Sequence, residues 1–222
     1  MKIIAYMRCD FKEKFGIPRQ SGIAETVGRI VFEPEYSVPE AFRGIEEYSH
    51  LWVLWQFSEA VRTEWSATVR PPRLGGNKRM GVFATRSPFR PNNIGLSSVK
   101  LMKVTNEGGR IVLYVLGADL LDGTPIYDVK PYLSYTDSHP EAKCGFADKV
   151  LGYSIDVEFD EAVLNKLNNT EITELKQILK EDPRPSYIED GDRVYTFSYG
   201  KWQISFFVKD SQLFVCGAEI NR

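Results

Sequence analysis

Short runs of β-branched and aromatic residues, most of them bounded by Gly, Pro, Asn or Asp, fill the first 150 positions: Ile3–Met7, Gly28–Phe32, His50–Phe57, Gly81–Ala84, Ile94–Leu101 and Arg110–Leu116. Runs of this kind suit a half-buried pleated surface. Several in series avoid exposed sheet edges by closing into a barrel. The expected fold is therefore mainly β, with a closed or nearly closed β-barrel over residues 1–150. A helical turn is predicted at Pro39–Arg43, where Pro takes an opening position. Between Trp65 and Lys78, Pro71-Pro72, Gly75-Gly76 and basic residues predict a loop whose charge is solvated.

The pattern changes near Leu151. A strand at Gly152–Val157 is followed by two helical stretches, with Asp160 and Thr170 as candidate N-caps. Ile172, Leu175, Ile178 and Leu179 share one face at helical spacing. Asp182-Pro183-Arg184-Pro185 then stops the helix. Strands follow at Arg193–Tyr199, Lys201–Val208 and Gln212–Ile220, the first two joined by a tight link at Gly200. Residues 151–222 are expected to form a small α+β domain.

The chain has 222 residues with 28 Lys+Arg and 30 Asp+Glu, a net charge of −2 that seems to argue against a nucleic-acid partner. Position removes that argument. Residues 1–150 hold 20 basic and 17 acidic side chains, whereas residues 151–222 hold 8 and 13. Between Arg62 and Arg110 there are 10 basic residues and only Glu64 and Glu107 opposing them. This is a local electrostatic footprint: either a solvated basic face or, as its richness in Arg favours, a surface for bidentate anion recognition. Cys9, Cys144 and Cys216 are odd in number and far apart, so a reducing cytoplasm is expected over secretion. His50 and His139 alone cannot build a zinc site, and no metal is expected. The longest apolar run, Ile111–Leu121, is interrupted by Gly117 and Asp119, too short a stretch to span a bilayer. The N-terminus lacks the shape of a signal peptide. Dinucleotide, P-loop, serine-elbow and zinc-protease motifs are all missing from the sequence.

Four segments carry chemistry. Pro18 stiffens a loop that presents Arg19 and Gln20 between Gly16 and Gly22. The segment Glu46–Phe57 has the apolar density of a strand buried on both faces, with Gln56 as an amide needing a partner. In Gly81-Val82-Phe83-Ala84-Thr85-Arg86-Ser87-Pro88-Phe89-Arg90-Pro91-Asn92-Asn93-Ile94-Gly95-Leu96-Ser97, the prolines on both sides of Phe89-Arg90 cut the entropy lost when the loop binds a ligand. Asp122-Gly123-Thr124-Pro125 forms a turn, and Tyr127, Asp128 and Lys130 follow it.

In this order the four segments resemble the TrmO family of tRNA methyltransferases, also called TsaA-like. The two strings Arg86–Ser97 and Asp122–Tyr132 carry most of the likeness, which runs from about Ile4 to Ser138. Asp182-Pro183-Arg184-Pro185-Ser186-Tyr187 extends a looser likeness into the tail. The resemblance implies a single-sheet β-barrel, not a Rossmann fold, that binds S-adenosylmethionine, and a homodimer with the cofactor near the subunit interface. It implies methylation of N6 of threonylcarbamoyl-adenosine at tRNA position 37, in the anticodon loop. It places Pro18, Arg19, Gln20, Gln56, Phe57, Arg86, Leu96 and Asp122, Gly123, Thr124 and Pro125 around the cofactor.

Methyl transfer from a sulfonium is an in-line displacement, so alignment is the main task. Arg19 or Arg86 is expected to take the cofactor carboxylate, and Leu96 with the 122–125 turn its adenine. Asp128 and Tyr127 are expected to accept or orient the leaving proton. Lys130 is expected to polarise the acceptor's carbonyl or to meet a phosphate. Phe89, Tyr132 and Tyr135 are available for base stacking and Arg90 for phosphate. Two other readings stay open: a methyltransferase of the same fold with another acceptor, and a non-enzymatic RNA-binding barrel.

Overall fold

The computed structural model describes residues 1–71, 74, 78–150, 152–184 and 193–221. Pro72, Gly75-Gly76, Leu151 and Pro185-Ser186-Tyr187 lie outside the described residues.

The first sheet is built from β1 (Ala5–Arg8), β2 (Val27–Phe32), β3 (His50–Gln56), β6 (Ile94–Glu107), β7 (Arg110–Leu116) and β8 (Pro125–Pro131). They pair in the order β1-β2-β7-β6-β3-β8, and β8 returns to β1, so the sheet is a closed barrel. Side chains alternate along each strand. In β3, Leu51, Val53 and Trp55 are buried while Trp52, Leu54 and Gln56 are half-buried. Burial on both faces, as the apolar density of this segment predicts, does not occur, because a closed sheet has one inner face. The core joins these β3 residues to Met7, Ile30, Val99, Leu113 and Ile126.

Two elements of the first 150 residues differ from the sequence reading, and the strand predicted at Gly152–Val157 instead spans Asp156–Phe159. Gly81–Ala84 is not a strand. Only Met80–Gly81 (β5) pairs, with Thr68–Val69 (β4), and the Val82–Ala84 turn is closed by both the backbone and the hydroxyl of Thr85 donating to the Val82 carbonyl. In the other direction β6 runs beyond Leu101 to Glu107. There Gly108 and Gly109, at φ 61° and 80°, make the two-residue turn that leads into β7.

The second sheet has the order β10-β11-β12-β9. It contains β9 (Asp156–Phe159), β10 (Tyr195–Tyr199), β11 (Trp202–Lys209) and β12 (Gln212–Ile220), with β9 parallel to β12. Two helices accompany it, α2 (Glu161–Leu164) and α3 (Asn169–Leu179). The N-cap of α3 is Asn168 rather than Thr170. Its side chain accepts from the Glu171 backbone at 2.9 Å while Glu171 accepts from the Asn168 backbone at 2.8 Å, a reciprocal capping box. Asp160 precedes α2 but its side chain makes no capping bond. Leu175, Ile178 and Leu179 are buried against the sheet, as the helical spacing predicts.

The chain between β1 and β2 belongs to both cores. Cys9 packs against each, and Phe11, Phe15, Ile17 and Ala24 sit in the second. The Phe15 ring lies 6.2 Å from those of Tyr195, Phe197 and Phe206. Gly16, at φ 91°, lets the backbone pass Phe197, where a Cβ would come within 2.5 Å of the ring. Phe11 bridges to Tyr199, and the Gly200 amide donates to the Asp10 carbonyl at 2.9 Å. Phe15→Ala is expected to cost about 3 kcal/mol and to shift one urea transition shared by both sheets. Two separate transitions, only one of them shifted, would contradict this shared packing.

Candidate functional site

The site is built on a tryptophan lying over a glycine. Trp55 on β3 pairs with Gly95 on β6, and a Cβ at Gly95 would fall 2.2 Å from the indole. With that space open, the indole N–H donates to Ser97 Oγ at 3.0 Å. The Ser97 hydroxyl, 1% exposed, donates in turn to Asp119 Oδ1 at 2.5 Å. Burial raises the Asp119 carboxyl above its ordinary 3.8, opposed by the Ser97 hydrogen bond and, more weakly, by the Arg86 charge and the Ser21 backbone.

Two of the expected cofactor loops, those carrying Pro18–Gly22 and Arg86, meet beside this carboxylate. The Gly22 amide donates to the Gly117 carbonyl at 2.9 Å, which brings the Pro18–Gly22 loop beside Asp119. Pro18 is buried. Arg86 donates from Nη1 to Gln20 Oε1 and is otherwise exposed. The Phe57 ring lies 4.2 Å from that of Trp55, and the Phe57 amide donates to the Asn93 carbonyl at 2.9 Å. The 122–125 turn is held by backbone bonds to the end of β1. Asp122 N donates to Phe11 O and Gly123 N to Met7 O, both at 2.8 Å. The Asp122 carboxylate accepts from Cys9 N at 3.0 Å and Lys12 Nζ at 2.9 Å. Thr124 is buried with its hydroxyl donating to Leu121 O at 2.7 Å, and Pro125 opens β8. These contacts shape the turn and leave little of the Asp122 carboxylate for a ligand.

Other expected residues are placed differently. Arg19 donates from Nη2 to the carbonyls of Asp182 at 3.0 Å and Arg184 at 3.3 Å, so it anchors the Pro18–Gly22 loop to the tail. Arg184 grips Asp182 with two bonds of 2.8 Å. Burial opposes the Asp182 charge, but Arg184 outweighs it and holds that carboxyl below its usual range. Gln56 and Leu96 face outward from the barrel, Leu96 at 56% exposure. Leu54 lies between Leu96 and Asp128 in one transverse row. Asp128 is ion-paired to Lys130 at 2.9 Å, and Tyr127 occupies a register shift between β8 and β3. Arg90 spends its Nη1 on the Val82 carbonyl at 3.0 Å and the Thr85 carbonyl at 2.8 Å. Phe89 lies beneath the Arg62 guanidinium, 3.6 Å from ring centroid to Cζ. Tyr135 projects at 85% exposure from the short helix α1 (Ser134–Asp137). That helix is fixed by Trp52 Nε1 donating to Asp137 Oδ2 at 2.7 Å.

Sequence reasoning missed Ser97 and Asp119 as site residues. The signal for Asp119 was its charge inside the most apolar run of the chain. The Cys9 thiol is pushed up to about 12, chiefly by burial, and donates to the Leu120 carbonyl at 3.2 Å. It is a packing residue rather than a nucleophile.

Because the folded Asp119 carboxyl titrates above its unfolded value of 3.8, the folded state binds its proton more tightly. Stability from this group is therefore full below 3.8 and declines as pH rises through the raised value. Asp119→Asn removes that decline. The urea midpoint of the parent minus that of the variant is expected to fall with rising pH and then level off. A pH-independent difference would contradict the placement of this carboxyl.

Residues 6–138 match the family described as tRNA-methyltransferase O N-terminal domain, and residues 153–220 match the TrmO C-terminal domain. The chain is 39% identical to a tRNA (adenine(37)-N6)-methyltransferase of Escherichia coli (strain K12), over 93% of this chain and 90% of that one. A Pseudomonas aeruginosa relative provisionally named an S-adenosylmethionine-dependent methyltransferase is 43% identical, over 83% of this chain and 81% of that one. The crystal structure of TrmO from P. aeruginosa aligns with a TM-score of 0.79 at 33% identity, covering 99% of this chain and 95% of that one. With both family domains matched and the fold shared along its length, the chain belongs to the TrmO family.

Proposed function

We propose that this chain methylates N6 of adenine 37 in tRNA with S-adenosylmethionine, and that the acceptor is the threonylcarbamoyl form of that adenine. Family membership supports the reaction class. The observation that carries the site is the meeting of Arg86, Gln20 and the Ser97–Asp119 pair at one end of the barrel.

The residues present fit the cofactor. Arg86 uses one N–H on Gln20 and has others to offer a carboxylate. The Asp119 carboxylate lies where positive charge on an ammonium or sulfonium is favourable, because burial penalises it unpaired. Phe57 and the outward-facing Leu96 are apolar walls for the adenine, and the 122–125 turn offers backbone groups. When bound, S-adenosylmethionine supplies an activated methyl group. The chain's own task is then to align the acceptor and remove a proton. Asp128, with Lys130 at 2.9 Å, is the proposed proton acceptor, and Tyr127 and Lys130 orient the acceptor's carbonyl. Residues 1–150 are the proposed methyl-transfer domain, and residues 151–222 hold Arg19 and through it the Gln20 loop. The exposed Ile94 and Leu96 on β6 support a homodimer whose partner covers this row. The charge between Arg62 and Arg110 supports an RNA partner. Work on tRNA fits a cytoplasmic location, and among the described residues no helix is long and apolar enough to cross a membrane.

The test is incubation with tRNA, with or without the threonylcarbamoyl group, and labelled cofactor, followed by mass spectrometry of the position-37 nucleoside. Label on N6 only in the threonylcarbamoyl form is expected. Label on unmodified tRNA, or elsewhere, would overturn the acceptor assignment. Arg86→Ala is expected to weaken cofactor binding roughly tenfold or more, the scale of one charge-assisted hydrogen bond. Calorimetry reads this directly, and unchanged affinity would remove Arg86 from the site.

A further inference from the structure

Outside the barrel, the segment between β3 and β6 leaves two large aromatic side chains in solvent. Trp65 is 54% exposed and Phe83 is 70% exposed. The β4–β5 pairing and a 2.9 Å bond from Val82 N to Ala67 O bring their backbones together, and the rings stand 6.0 Å apart at 35°. Scattered exposed apolar residues need no explanation. Here, however, the pair is ringed by cations. The Arg90 guanidinium lies 5.5 Å from the Phe83 centroid, and Arg62 lies over Phe89. A shallow pocket of about 170 Å³ adjoins Trp65, lined by Arg62, Glu64, Phe89, Arg90 and Asn93 among others.

The carbonyls of Val82 and Thr85 orient Arg90 without neutralising it. Among the described residues neither Arg62 nor Arg90 forms an ion pair with a carboxylate. Exposed aromatic rings beside guanidinium groups that no carboxylate pairs call for a flat π ligand that carries negative charge close by. An unpaired nucleotide meets both demands, whereas an acidic protein surface would use the charges and leave the rings idle. Phe83 also precedes Arg86 by three residues, so their Cα atoms are at most about 11 Å apart at 3.8 Å per residue. One RNA strand can touch both.

We propose that Trp65 and Phe83 form a stacking platform for an unpaired base next to the methylated adenine, with Arg62 and Arg90 meeting the adjoining phosphates. The proposal rests on the tRNA reading above. It moves the stacking role from Phe89, which lies 3.6 Å beneath the Arg62 guanidinium, to Trp65 and the more exposed Phe83.

The experiment measures binding of a fluorescein-labelled anticodon stem–loop RNA and of a duplex RNA of equal length to the full chain by anisotropy. Calorimetry with S-adenosylmethionine and sedimentation velocity are run on each variant. Trp65→Ala and Phe83→Ala are each expected to weaken stem–loop binding about tenfold, as loss of one base stack does. Trp65→Phe is expected to retain most of the affinity. Duplex binding, cofactor affinity and the salt dependence of stem–loop binding are expected to stay as in the parent, because no charge is removed. Unchanged stem–loop affinity in both alanine variants would overturn the platform, and so would equal weakening toward stem–loop and duplex. A change in oligomeric mass with RNA binding intact would make the patch an interface between copies and overturn it as well. If the parent binds cofactor but neither RNA, the tRNA reading itself fails, an outcome distinct from failure of the platform alone.

Discussion

A tryptophan ring lying over a glycine is the contact on which the site depends. Trp55 can lie flat on β6 because position 95 carries no side chain, and its N–H then fixes the Ser97 hydroxyl. Ser97 is a single hydroxyl between an indole donor and a carboxylate acceptor, so its orientation is determined at both ends. The result is a carboxylate held inside a barrel mouth, where the low local dielectric gives it leverage on any cation that arrives. Arg86 and Gln20 complete the mouth from two loops far apart in sequence.

The second sheet matters to this site through the chain that links β1 to β2. That segment carries Phe11 and Phe15 into the second core and then delivers Pro18, Arg19 and Gln20 to the barrel. Arg19 closes the arrangement on the carbonyls of Asp182 and Arg184, while the Asp182–Arg184 pair fixes those carbonyls. The tail is acidic overall and a poor phosphate binder, but it gives the loop a rigid anchor. In the proposed site, rigidity at Gln20 would reduce the entropy lost on binding.

Most strand runs and the helix over Ile172–Leu179 were legible because local composition determines them. Arg110–Leu116 and Gln212–Ile220 carry the bounds that the sequence predicts. What was not legible depends on distant partners. Arg19 reads as a free cation until its acceptors, 163 and 165 positions away, come into view. Arg90 reads as a phosphate binder, yet part of its donor set folds its own loop. Asp119 reads as an interruption because nothing nearby in sequence announces Ser97 as its partner. Trp65 reads as loop, since its neighbour Phe83 reaches it only through the short β4–β5 pairing. A basic stretch predicts a sign of charge well and the individual contacts poorly.

The most direct test of the account is to titrate S-adenosylmethionine into the ¹⁵N-labelled protein and map the amide and indole resonances that move. The account expects the largest shifts at residues 20–22, at Arg86, at Leu96 and Ser97, from Asp119 to Thr124, and at the Trp55 indole N–H. Shifts confined to the second sheet, or absent from Asp119 and the Trp55 indole, would contradict the claim that this network is the floor of the cofactor site.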